Sequence, residues 1–170
     1  FLNSLGSEFF DSFWMFVTDK KSSIPLYFFL IYYIFKKLSN KDFLKYLITI
    51  TILILFTDQF SGLFKNYFER YRPCHDSTLI DSIRIVKEGC GGLFGFFSAH
   101  AANSFALATF FYFSFRKFSS YFKYLFLWAI IVSYSRIYIG VHFPGDIIIG
   151  SCFGIITGYL FSITSFKVKF

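Results

Sequence analysis

The sequence predicts an all-α, polytopic membrane protein in one domain over residues 1–170, with about five transmembrane helices and an N-terminal helix in the bilayer interface. Two observations lead there. Of the 170 residues, 55% are hydrophobic, 25% aromatic and only 16% charged, which is more apolar surface than a soluble domain of this size can cover. The apolar residues also come in long runs rather than in the stripes of a soluble amphipathic helix.

Glu8 to Asp19 is apolar on one side and too short to cross, so it is expected to lie in the interface. It carries acidic residues where a cleavable signal would have a basic start, and no such signal is expected. Five runs follow, over 22–38, 43–64, 98–115, 121–139 and 146–166. The links after the first and third, KLSNK and RKFSS, are short and basic. The link from Lys65 to Phe97 is long and contains Pro73, Gly89, Gly91, Gly92 and Gly95, and a loop of that length usually carries function.

Lys and Arg nearly balance across the two sides, Lys167 and Lys169 counting with the short links. Short links report orientation better than long ones, so the basic ones are expected in the cytoplasm. The long loop, the N-terminus and all three histidines (His75, His100 and His142) are then outside. The net charge of +7 suits anionic lipid head groups. Its cations flank apolar runs and form no separate basic stripe, which argues against nucleic acid.

Three clusters carry chemistry. In SRIYIGVHFPGD, His142 and Asp146 are four apart and share a face if the last helix begins near His142. A carboxylate can hold one imidazole nitrogen as N–H and leave the other free to attack. Arg136 offers a fixed fork of donors suited to a phosphate. In KNYFERYRP, a helical continuation would put Lys65 and Arg72 on one face, where two outward cations suggest an anion site. In GGLFGFFSAHAANSF, glycines lead to Ser98 as an N-cap, with His100 in the first turn beside backbone N–H groups able to bind an anion.

Together these motifs resemble the phosphatidic acid phosphatase type 2 superfamily, whose pattern is Lys, six residues, Arg-Pro; then Pro-Ser-Gly-His; then Ser-Arg, five residues, His, three residues, Asp. Here they read Lys65 with Arg72-Pro73, then Phe97-Ser98-Ala99-His100, then Ser135-Arg136, His142 and Asp146. Phe97 stands for Pro and Ala99 for Gly; Ala99 keeps its backbone N–H, while its methyl can narrow the pocket. The resemblance implies that His142 is the nucleophile forming a phosphohistidine, Asp146 its orienting partner and His100 the proton donor to the leaving oxygen. Lys65, Arg72, Ser98, Ala99 and Arg136 would hold the phosphoryl group. No cofactor or metal is implied, and the cations around the histidines would repel one.

The expected activity is hydrolysis of a lipid phosphate monoester or pyrophosphate at the outer face of a bacterial inner membrane. Undecaprenyl pyrophosphate, phosphatidylglycerol phosphate, phosphatidic acid and lipid A phosphates are the candidates. A phosphotransferase would use the same histidine, whereas a protein that only binds anionic lipid would need the cations but neither histidine. Asp58 and Asn103 are candidate supports behind the site. Glu69, Arg70 and His75 read as solvated loop groups. Cys74 and Cys90 lie in the expected oxidising compartment, where a disulfide would close the loop; the alternative is two free thiols.

Overall fold

The computed structural model describes residues 2–79, 81–87 and 89–164; Lys167, Lys169 and the end of the last predicted run lie outside them. Among the described residues the chain forms six α-helices: α1 (Glu8–Thr18), α2 (Ile24–Lys37), α3 (Asn40–Phe68), α4 (Ala99–Phe115), α5 (Tyr124–Tyr138) and α6 (Pro144–Thr164). Short 3₁₀ turns precede α2 and α5 and follow Arg72. Among the described residues, β pairing is limited to the bridge between Tyr71 and Phe94.

Local chemistry sets the helix limits. Ser39 caps α3: its Oγ accepts from the Asp42 N–H at 3.2 Å and donates to the Asp42 carboxylate at 2.7 Å. Pro25 and Pro144 stand in the first turns of α2 and α6, where a missing N–H costs nothing. α3 ends at Glu69, which turns left-handed at φ 46°. The predicted helical path from Lys65 to Arg72 therefore stops short. Arg72 N–H bonds Leu93 O at 3.0 Å and Gly95 N–H bonds Arg70 O at 2.9 Å, and this pairing with the later loop replaces a further helical turn.

α4 is the central helix and packs most extensively on α6. The reason is a stripe of small residues. A Cβ at Gly150, Gly154 or Gly158 would come closer than 3.0 Å to the carbonyl oxygen of Ser98, Ala102 or Ala106, so the two backbones touch. Beyond them, Tyr46, Phe110, Phe111, Phe115 and Phe122 close the core at the end away from the long loop.

α3 and α6, at 29 and 21 residues, are long and apolar enough to cross a membrane, and only 17% and 22% of their most apolar stretches is buried within the protein. A soluble core helix would be mostly buried. On α3, Leu44, Ile48, Ile52 and Leu55 form an exposed apolar stripe that suits hydrocarbon rather than water. At 14, 17 and 15 residues, α2, α4 and α5 fall short of the ~20 that a crossing helix needs. For α2 and α5 the cause is local: Lys20–Ser23 and Ser120–Lys123 tighten into 3₁₀ turns in place of the predicted first helical turn.

α1 is more than a surface helix. Phe9, Phe13 and Phe16 face outward, as an interfacial helix requires. Its other face docks on α5, where Trp14 stacks on Tyr138 and Asp11 pairs with Arg84 of the long loop at 2.6 Å. The long loop is held again by a disulfide between Cys74 and Cys90, with Cα atoms 6.2 Å apart, packed beside Tyr138, Ile139 and Val141.

Candidate active site

Four helix ends meet on one side of the molecule: the C-terminal ends of α3 and α5 and the N-terminal ends of α4 and α6. They bring Lys65, Arg72, Ala99, His100, Arg136 and His142 onto the wall of one cavity of about 760 Å³, although 77 residues separate the first from the last (142 − 65). Asp58 and Asn103 lie deeper on the same wall.

His142 lies in the α5–α6 link, two residues before α6, and is almost fully buried. α6 begins at Pro144, so His142 stands just outside it, yet the pairing forms, because Asp146 in the first turn reaches back. One of its oxygens, Oδ2, accepts from the Phe143 N–H at 2.9 Å and lies 3.2 Å from His142 Nδ1. With Nδ1 engaged, Nε2 is the free nitrogen. Burial pushes the His142 imidazole well below its usual range, and Arg136, Arg72, Lys65 and His100 push it the same way. The ring is then neutral at neutral pH, the form a nucleophile needs.

Arg136 is buried at 4% exposure. One terminal nitrogen, Nη1, donates to Thr18 Oγ1, and its buried Nε–H has no hydrogen-bond partner among the described residues, a donor available to an anion. Arg72 donates to the carbonyls of Phe94 at 3.2 Å and Cys90 at 3.3 Å. Gly95 leaves room for that posture, since a Cβ there would press on Arg72 Cγ at 3.1 Å.

Ser98 takes a structural place and is absent from the cavity wall. Its Oγ accepts from the Ala101 N–H at 3.4 Å as the cap of α4, and its own N–H donates to Asp146 O at 3.2 Å, joining the starts of α4 and α6. Ala99 is the member of that pair that faces the cavity. Asn103 bonds Thr57 of α3 and so braces α3 against α4. His75 sits off the cavity, near Gly91 O at 3.4 Å.

Three residues escaped the sequence reading. Arg70, read as a solvated loop group, pairs with Asp146. Thr18 and Lys20 line the cavity from the turn between α1 and α2. Arg70 lies inside the Lys-to-Arg interval of its motif, a position that could have drawn attention. Thr18 and Lys20 belong to no motif and reach the site only because α1 folds back on α5.

The cavity changes character along its length. Near the histidines it is cationic, and deeper in it is lined by Leu30, Leu47, Ile50, Ile54, Leu107 and Phe111.

The chain is 38% identical to a lipid A 4'-phosphatase of Bacteroides thetaiotaomicron over 99% of its own length and 75% of that protein's. It is 34% identical to a lipid A 4'-phosphatase of Porphyromonas gingivalis over 93% of its length and 67% of that protein's. Among solved structures, Aquifex aeolicus LpxE superposes with a TM-score of 0.71 at 25% identity, covering 96% of this chain and 90% of the other. The sequence model of the PAP2 superfamily, the phosphatidic acid phosphatases of type 2, matches residues 42–170, a range that contains all three motifs. The chain belongs to the PAP2 superfamily.

Proposed function

We propose that this protein is a membrane-bound lipid phosphatase that removes a phosphate monoester from a lipid A-type glycolipid. The observation that carries the reading is the two-part cavity, cationic where the histidines lie and apolar beyond, a shape for an anionic head group attached to acyl chains. The two lipid A 4'-phosphatase relatives support this lipid class over the other lipid phosphates.

In this mechanism His142 Nε2 attacks phosphorus in line with the leaving oxygen, and the P–O bond breaks as the P–N bond forms. Lys65, Arg72, Arg136 and the Ala99 N–H hold the three equatorial oxygens, whose charge spreads in the transition state. His100 protonates the departing sugar oxygen, then takes a proton from the water that cleaves the phosphohistidine. Ser98 serves by fixing the start of α4. The fixed cations do the work that a metal does elsewhere, so no metal is required.

The orientation follows from charge. The site lies at the ends of α3 and α5, while Lys36, Lys37, Lys41, Arg116 and Lys117 cluster at the opposite ends. With that basic side in the cytoplasm, the site faces the periplasm of the inner membrane. The 3₁₀ turns lengthen α2 and α5, and α4 is sheathed by its neighbours, so all five helices cross.

The test is phosphate release by purified protein from a panel of lipid phosphates, with and without EDTA. We expect lipid A phosphate to be preferred, EDTA to be tolerated, and a rapid non-acidic quench to leave an alkali-stable phosphate on wild type and none on His142→Ala. A strict divalent-ion requirement, or label persisting in the variant, would overturn the mechanism. Label passed to a second lipid rather than to water would make the protein a transferase.

A further inference from the structure

We propose that Arg70 is a positioning residue for the reaction: by holding the second oxygen of the Asp146 carboxylate, it fixes the orientation and proton state of His142. The inference rests on the reading of His142 as the nucleophile.

The Asp146 side chain is fully buried and both of its oxygens are engaged. Oδ2 faces His142 Nδ1 and the Phe143 N–H, while Oδ1 meets Arg70 Nη2. The guanidinium is aimed by two aromatic rings, 4.9 Å from the centre of Phe96 and 5.1 Å from that of Phe143. Its backbone is fixed too, since Arg70 O accepts from the Gly95 N–H. A flat, delocalised cation fits between two rings as lysine does not.

Arg70 is not on the wall of the catalytic cavity. Its side chain is 41% exposed, toward a separate outer pocket of about 340 Å³ shared with Glu69, Tyr71, Asp76 and Phe143. It therefore reaches the substrate only through Asp146. Lys65 of α3, Arg72 of the long loop, His100 of α4 and Arg136 of α5 face the imidazole from the cavity side, all opposing its protonation. Asp146 of α6 is the anion on the far side and favours the imidazolium. Arg70 draws part of that carboxylate's charge to itself, so the ring stays neutral while Nδ1 stays tethered. Removing Arg70 leaves the full negative charge to His142, which then protonates at higher pH.

The experiment is the pH profile of kcat/KM for full-length Arg70→Gln and Arg70→Lys in detergent micelles, on a lipid phosphate monoester. The acid half-point of Arg70→Gln should move up by about one pH unit, an about tenfold loss below the wild-type half-point, with little change in KM. Arg70→Lys, keeping charge without the stacked fork, should move less in the same direction. An unshifted half-point with uniform loss would reduce Arg70 to a structural brace and overturn the proposal. A raised KM at an unshifted half-point would put Arg70 on the substrate and overturn it equally. Should Arg70→Gln fail to fold, Arg70→Lys alone decides, and an unshifted half-point again overturns it. If wild type forms no phosphohistidine, the underlying reading fails; if it does and the profiles coincide, only the role of Arg70 fails.

Discussion

His100 shares the cavity wall with four cations, Lys20, Lys65, Arg72 and Arg136, and its α4 neighbours Ala101 and Ser104 supply no charge. In the proposed mechanism His100 gives its proton to a poor leaving group as the bond to phosphorus breaks. We expect His100→Ala to lose about 10²–10⁴-fold on alkyl phosphates and far less on p-nitrophenyl phosphate, whose leaving group departs as a stable anion. Equal losses on both substrates in steady-state assays would remove His100 as the acid.

The contact between α4 and α6 sets the geometry of both histidines. The Gly150, Gly154 and Gly158 stripe lets the two helices touch, and at its upper end the Ser98 N–H meets Asp146 O. Gly154→Val should push α6 away from Ala102, destabilise the protein by about 1–3 kcal/mol and separate Asp146 from the start of α4. A lowered melting temperature together with lost turnover is the expected result. Gly62→Ala on α3, where an added Cβ meets nothing within 4 Å, should leave both unchanged. An equal effect of the two substitutions would deny the stripe its role.

The molecule as a whole is polarised, with the cationic cavity, the disulfide loop and α1 at one end and the short basic links at the other. On intact spheroplasts a membrane-impermeant thiol reagent should label Cys74 and Cys90 only after reduction. Labelling that requires a broken membrane would reverse the orientation, and labelling without reductant would show free thiols. The fold brings α1 to this end as well, so Thr18 and Lys20, which precede the part of the chain matched by the family model, form part of the cavity wall.

The sequence by itself determined the helical class, the order of the apolar runs and the three motifs that supply most of the charged groups of the cavity. Runs of Leu, Ile and Phe leave few alternatives to helices, and His, Lys and Arg at motif spacing are costly beside such runs unless they have work to do. Linear spacing could not supply the directions. It carried Lys65 to Arg72 along one helix, whereas the chain turns at Glu69. It read Ser98 both as the cap of α4 and as a phosphate holder, and could not see that the residue lies off the cavity wall. It left Arg70 to solvent, and it had no means of seeing Thr18 beside Arg136, since these contacts cross 76 and 118 residues of chain. Only tertiary structure decided them, because the short-range forces that make each contact act on side chains that packing has first brought within a few ångströms, and that packing rests on backbone contact between the Gly and Ala faces of α6 and α4.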